Sequence, residues 1–343
     1  LTKKEVVMSK KADAVFEGGG VKGIGLVGAV SELEKAGYEF VNLAGTSAGA
    51  IIAALLAVGY KAAEVKEELE KLDYNKFKDE GLLDKFGFVG KGLSLGFEYG
   101  IYEGDFFEDW MEKLLRAKGK TTFGDIIMPD YVENDTKEKE KYKYKFQAIA
   151  ADITDRCLLV LPHSLEDFGY NPDKFSISRA VRMSMSIPIF FEPIQLEDGS
   201  GRKHFIVDGG TLSNYPIWLL DDKTTNDPPW PTFGLKLVEP GKSELKSKSR
   251  NSINNPVSFL KALIGTMMDA HDSFHISRSK GDFERTIGIP TVINLNGTEK
   301  EIKTTDFHIT QPESQALFEN GEKVAREFLG KWDFEDWKSK YRV

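Results

Sequence analysis

The pentapeptide Gly45-Thr46-Ser47-Ala48-Gly49 sets a serine between two glycines, where one apolar run, 40–44, gives way to another, 50–58. That spacing, between a strand and a helix, is the context of a nucleophile elbow. The glycines let backbones approach, so a hydroxyl can stand at the tip of a tight turn. The helix behind it points its amides and positive dipole end at the same spot, where an oxyanion would form. The chemistry implied is acyl transfer through a serine. A second stretch, Gly18-Gly19-Gly20-Val21-Lys22-Gly23, formally fits the G-x-G-x-x-G dinucleotide fingerprint. In that fingerprint an acid closes the second strand and holds a ribose hydroxyl. Here the second strand closes on Gly45-Thr46-Ser47, and Glu39 lies at its wrong end. The other use of such a loop is to present bare N–H groups to an anion. Loops after the first two strands of a parallel sheet open at one edge, which would set these amides opposite Ser47.

A third feature is Asp208-Gly209-Gly210, at the end of an apolar strand over 204–207. An aspartate there either projects into a site or caps its own turn. A triad would need a histidine between Ser47 and Asp208. His163, His204, His271, His275 and His308 all lack a convincing strand-end loop, and His204 reads as structural. A Ser–Asp dyad is therefore the more economical arrangement, provided that burial strengthens the aspartate as a base.

The positioning elements follow in order. Residues 12–16 read as a buried strand, and Ile24, Val27, Val30 and Leu33 recur at helical spacing before Gly37. Strand, loop, helix, strand and helix in this order predict an α/β sheet with parallel strands. Val65, Leu69 and Leu72 mark an amphipathic helix. The glycine- and aromatic-rich stretch 81–104 is either a mobile cover over an apolar pocket or a packed irregular segment. A helix is expected over 105–118, an exposed charged loop over 134–145, core strands over 146–153 and 158–161, and a helix over 176–186. Asp198-Gly199-Ser200-Gly201 signals a hairpin, and 239–256 reads as a linker. A helix over 256–275 carries His271 and His275 at zinc-protease spacing, but Asp272 replaces the glutamate and no third ligand follows; no metal is expected. A strand is expected over 291–295. Thr310-Gln311-Pro312-Glu313 is a capping box opening a last helix that runs to Gly330.

The chain has 343 residues, 41% apolar and 29% charged, with a net charge of -8. That balance argues against a nucleic-acid partner and leaves peripheral membrane contact open. The single cysteine, Cys157, forms no intramolecular disulfide and reads as a small strand residue in a reducing compartment. No apolar signal core follows the N-terminal charges, and the longest apolar run is about half a membrane span. A soluble, cytoplasmic protein is expected, at most peripheral at a membrane.

The combination of Gly18–Gly23, Gly45–Gly49 and Asp208–Gly210, in that order, resembles the patatin-like phospholipases, particularly the bacterial ones. Ala151-Asp152-Ile153-Thr154, Ser186-Ile187-Pro188 with Phe191 and Pro193, and Asn214-Tyr215-Pro216 add to the resemblance, which covers roughly the first 240 residues. It implies a three-layer α/β/α fold with a mainly parallel sheet. It also implies one catalytic domain over 1–343, with a less well matched part, 241–343, on the same core. It makes Ser47 the acylated nucleophile and Asp208 its base. Gly18, Gly19, Gly20 and Val21 would supply oxyanion amides, and Lys22, Gly23, Gly45, Ala48, Gly49, Gly209 and Gly210 would shape the elbow and loops. The implied activity is hydrolysis of acyl esters of phospholipids or related lipids, without cofactor, metal or calcium. A short-chain carboxylesterase, a nucleotide-binding module and a non-catalytic lipid-binding protein are the alternatives.

Overall fold

The computed structural model describes residues 10–72, 100–102, 104–131, 140–221, 225–238, 259, 262, 266, 281–304, 306 and 308–342. The first two apolar runs form β1 (Lys10–Phe16) and β2 (Tyr38–Thr46), paired in parallel. Between them lie the glycine loop and helix α1 (Ile24–Lys35); after β2 come α2 (Ala48–Val58) and α3 (Ala62–Lys71). Every residue of α2 is buried, which is why its sequence is apolar all round rather than striped. A short strand, β3 (Gly100–Tyr102), precedes α4 (Asp105–Ala117), whose Phe107, Met111, Leu114 and Leu115 are buried.

The strand that pairs with three others is β4 (Phe146–Asp152), buried along its whole length. It is followed by β5 (Cys157–Leu161), α5 (Ile177–Ser184), β6 (Ile189–Phe191), β7 (Ile194–Glu197) and β8 (Lys203–Asp208). Then come β9 (Thr232–Val238) and β10 (Thr286–Pro290), the hairpin β11 (Val292–Leu295) and β12 (Thr298–Glu301), and helices α6 (Gln311–Leu329) and α7 (Phe334–Tyr341). Among the described residues eight strands make the main sheet in the order β10-β9-β1-β2-β4-β8-β7, with β5 also on β4. The strands from β10 to β4 are parallel, and β5, β8 and β7 run antiparallel to their neighbours. The fold is α/β, with a central, mostly parallel sheet flanked by helices in the three-layer arrangement. One face packs Ala12, Ala14, Phe16, Leu43, Ala148 and Ala150 into the main core with α1 and α2. The other sets Val15, Ala44 and Ile149 under Leu219 and Leu220.

The register on β4 has a topological result. Strand β5 pairs with β4 from Ala148 to Asp152. Strand β2 pairs with β4 up to Thr46 opposite Ile149, and β8 pairs with it down to Asp208 opposite Ala150. Each strand has two hydrogen-bonding edges, so β2 and β8 share the edge that β5 leaves open. They approach from opposite directions and end on adjacent rungs.

Strands β9 and β10 were not expected; β9 follows a proline-rich stretch, and β10 is a five-residue strand with a glycine in it. The loop expected over 134–145 is described from 140 on, and there Tyr144 is buried with its hydroxyl 2.5 Å from Asp173, so its inner end belongs to the core. Cys157 lies on β5 as expected but is exposed. The linker over 239–256, the histidine-bearing helical stretch and most of 81–104 lie outside the described residues. No helix of the described residues is long and apolar enough to cross a membrane.

The C-terminal helix joins the core through backbone contact. A Cβ on Gly28 of α1 would collide with the Phe318 carbonyl of α6, and one on Gly321 with the Gly25 carbonyl. The capping box holds α6 at its start, with the Thr310 N–H donating to Glu313 at 2.8 Å. Valine at Gly28 or Gly321 is therefore expected to destabilise the fold by at least about 2 kcal/mol through overpacking, read as a lower urea midpoint. Gly199→Ala, where a Cβ meets nothing within 4 Å, should stay within about 0.5 kcal/mol of wild type.

Candidate active site

Ser47 occupies the turn between β2 and α2 with φ 54° and ψ −125°. A non-glycine residue there is strained, and such strain persists only where surroundings over-determine it. The surroundings are explicit. Gly45 and Gly49 stack so closely that a Cβ on either would overlap main chain, of Gly49 in one case and of Phe16 and Glu17 in the other. The Thr46 hydroxyl donates to the Ser213 carbonyl at 2.9 Å, and the Ser47 N–H donates to Ser184 Oγ at 3.0 Å. Ala48 opens α2; the Ala50 amide turns back to the Ser47 carbonyl at 2.9 Å, and among the described residues the Ala48 and Gly49 amides have no backbone acceptor.

Asp208 ends β8 one rung beyond Thr46 along the shared edge of β4. Its N–H donates to the Ser186 carbonyl at 2.9 Å, and its Oδ1 accepts from the Gly210 N–H at 2.7 Å. Oδ2 is buried without a hydrogen-bond partner of full geometry. The Ser47 side chain nevertheless interacts with this carboxylate and lowers its pKa, as does Gly210. Burial outweighs both and raises it to about 7. Ser47 and Asp208 are thus neighbours, 3% and 1% exposed. The hydroxyl approaches the carboxylate without closing a full bond.

The glycine loop lies against the same turn. A Cβ on Gly18 would stand 3.1 Å from that of Ser47, and one on Gly23 would touch Ala48 at 3.4 Å. Two of the four amides expected as oxyanion donors are already used. Gly18 donates to the Asn214 carbonyl at 3.0 Å, and Val21 donates to the Thr304 carbonyl at 3.2 Å. The Lys22 amide turns back to Gly19, and its side chain is buried. The physical reason lies in two distant segments, one just after Asp208 and one after β12, which pack on the loop. Among the described residues the Gly19 and Gly20 amides have no hydrogen-bond acceptor.

His204 stands apart, four residues before Asp208 on β8 and so about 13 Å along the strand. Its Nδ1 lies 2.7 Å from Asp152 and its Nε2 3.3 Å from Asp198. Ligand atoms of Asp152, Asp155 and His204 lie within 4.8 Å of one another, close enough to hold a cation. Burial alone would lower the imidazole, but its bonds to Asp152 and Asp198 raise it above its usual value. Arg202 takes Asp155 at 2.8 Å. With carboxylates on both ring nitrogens, the group fits an ion-paired imidazolium better than a metal ligand. Partial burial first, then Asp152, Asp155 and Asp167, raises the Cys157 thiol, which disfavours the nucleophilic thiolate.

The residues missed at the sequence level are Ser184, Ser213 and Thr304. Ser184 left the only readable signal, a serine on the helix expected over 176–186 amid Met183, Met185 and Ile187. The family profile described as Patatin-like phospholipase matches residues 14–221, which include the whole site except Thr304. "Uncharacterized protein YqhO" of Bacillus subtilis (strain 168) is 39% identical over 326 residues, covering 94% of this chain and 99% of that one. "Probable lipid hydrolase 463L" of Invertebrate iridescent virus 6 is 27% identical over 59% of this chain and 61% of its own. Among solved structures, VipD from Legionella pneumophila superposes with a TM-score of 0.54 at 16% identity, over 94% of this chain and 67% of that one, a likeness of fold. By the extent of these matches, the chain belongs to the patatin-like phospholipase family.

Proposed function

We propose that the protein is a lipid acyl hydrolase using Ser47 as nucleophile and Asp208 as its base, with phospholipids or related acyl-ester lipids as substrates. The observation that carries this reading is the buried Asp208 carboxylate, with one oxygen unpartnered beside a hydroxyl held on a strained elbow. Ser47 Oγ adds to the ester carbonyl while its proton passes to Asp208 Oδ2. The Gly19 and Gly20 amides, with the Ala48 amide at the start of α2, would receive the oxyanion. Collapse breaks the bond to the alcohol, which leaves with the proton from Asp208. Water then gives a proton to Asp208 and attacks the acyl carbon, and Ser47 leaves as its hydroxyl, so that free acid is released and both groups are restored.

The electrostatics favour this division of labour. An ordinary aspartate is a weak base toward a hydroxyl, and burial without a cationic partner makes Asp208 a stronger one. The viral relative, named as a probable lipid hydrolase, points to the same substrate class. The domain proposed spans 1–343, because α6 packs on α1 and Thr304 on the glycine loop. A cytoplasmic location with peripheral membrane contact, and no nucleic acid, completes the reading.

Ser47→Ala and Asp208→Asn are each expected to lower kcat at least about a thousandfold, with the double variant no worse, because the two act as a unit. The assay is product mass spectrometry from a mixed lipid extract; wild-type activity in either variant removes the assignment. A product set confined to short acyl chains selects the carboxylesterase reading. A fluorophosphonate should label Ser47, mapped by peptide mass, and label on another residue redirects the mechanism. The pH profile has a definite sign. Asp208 accepts a proton only when ionised, so kcat/KM should fall about tenfold per unit below an acid limb near 7. A limb near 4 would mean that the base is an ordinary, solvated carboxylate.

A further inference from the structure

Ser184, at the last turn of α5, is fully buried and touches no group that the reaction would change. Its hydroxyl donates to the Ile149 carbonyl at 2.6 Å and accepts the Ser47 N–H at 3.0 Å. A hydroxyl has one proton. Because the Ile149 carbonyl holds that proton, a lone pair remains for the Ser47 amide. Ile149 is the β4 rung opposite Thr46, and β2 ends there. The carbonyl of that rung therefore receives a side chain, and the side chain passes the constraint to the nucleophile's own peptide.

We propose that Ser184 is a positioning residue: its hydroxyl fixes the Thr46–Ser47 peptide and thereby holds the Ser47 side chain, on its strained turn, toward Asp208. The inference rests on the hydrolase reading and names a group which that reading does not use. Three observations converge on it. Ser47 has a backbone conformation that needs outside support. The Ser184 hydroxyl is the acceptor for its amide, and Ser184 is itself fully buried. The same helix end holds the other half of the dyad, since the Ser186 carbonyl accepts the Asp208 N–H, and Arg182 ties Ser186 down through its hydroxyl at 2.6 Å. One bracket thus reaches the nucleophile by a side chain and the base by main chain, and only the first link can be cut by substitution.

Ser184→Ala removes that link and leaves Ser47 and Asp208 intact. A misplaced reacting group costs up to about a hundredfold, so kcat should fall about 10- to 100-fold. KM should stay within about twofold, and the acid limb should keep its position because the Asp208 surroundings are unchanged. Fluorophosphonate labelling of Ser47 should slow by the same factor, and hydrogen exchange at the Ser47 amide should speed up. Ser184→Cys, which keeps a weak donor and acceptor, should fall between wild type and Ser184→Ala; it takes over the test if the alanine variant does not fold. A merely structural role would lower the melting temperature and leave kcat of the folded enzyme unchanged. A folded Ser184→Ala with kcat within twofold of wild type, or with unchanged Ser47 amide exchange, overturns the proposal. If the wild type neither hydrolyses an ester nor takes the fluorophosphonate, the hydrolase reading fails. The amide-exchange comparison then still decides whether Ser184 fixes the Ser47 peptide.

Discussion

The constraint on which the structure turns is the shared edge of β4. Hydrogen-bonding groups along a buried strand must all find partners. Here one edge is divided between two strands of opposite direction, β2 as far as Ile149 and β8 from Ala150 onward. Neither strand can continue without running into the other, so both chains must leave the sheet at that point, and they leave with Ser47 and Asp208. The rungs at the junction are closed by what lies nearest. Ser184 takes the Ile149 carbonyl, and Gly209 lies so close to the same carbonyl that a Cβ would not fit. Residues far apart in sequence become neighbours because a sheet edge has no room for two strand ends to pass.

Burial then sets the chemistry of the groups brought together. Asp208 and Asp198 belong to the same β7–β8 region, yet their acidities move in opposite directions. Asp198 is held well below the usual carboxylate range by the Ser200 hydroxyl, the Arg202 amide and His204. Asp208, with a single amide on one oxygen and a serine beside the other, is raised by desolvation to about 7. The contrast follows the general rule that the environment, not the residue type, assigns an acid its role. The imidazole between Asp152 and Asp198 belongs to the stabilising group, fastening the end of β4 to the hairpin.

Local features were legible in the sequence, and non-local ones were not. The elbow at Ser47, the helices α1, α2 and α4, the 198–201 hairpin and the capping box of α6 each depend on residues within a few positions of one another, and the structure shows them close to where the spacing puts them. The sheet's parallel character followed from element order. What the sequence hid was set by pairings across hundreds of positions. That Val21 gives its amide to Thr304, and Gly18 to Asn214, is not written in the glycine loop itself. Ser184 sits in an amphipathic helix where a buried serine looks like any small residue. Strands β9 and β10 do alternate, through Phe233, Leu235 and Leu237 and through Ile287 and Ile289, a signal that the sequence reading passed over; their order, β9 on β1 and β10 on β9, is a matter of tertiary contact.

Strand β9 bears on where this chain can be cut. The family match ends at residue 221, which invites a minimal version of the protein ending there. Such a truncation would remove β9 and with it the partner of Asp13 through Phe16, opening a row of unpaired main-chain groups on β1. A bare, apolar strand edge is a template for intermolecular pairing and precipitation. A version that keeps this edge paired therefore extends past residue 221, and the later strands serve as the cover that keeps the motif-bearing half from sticking to itself.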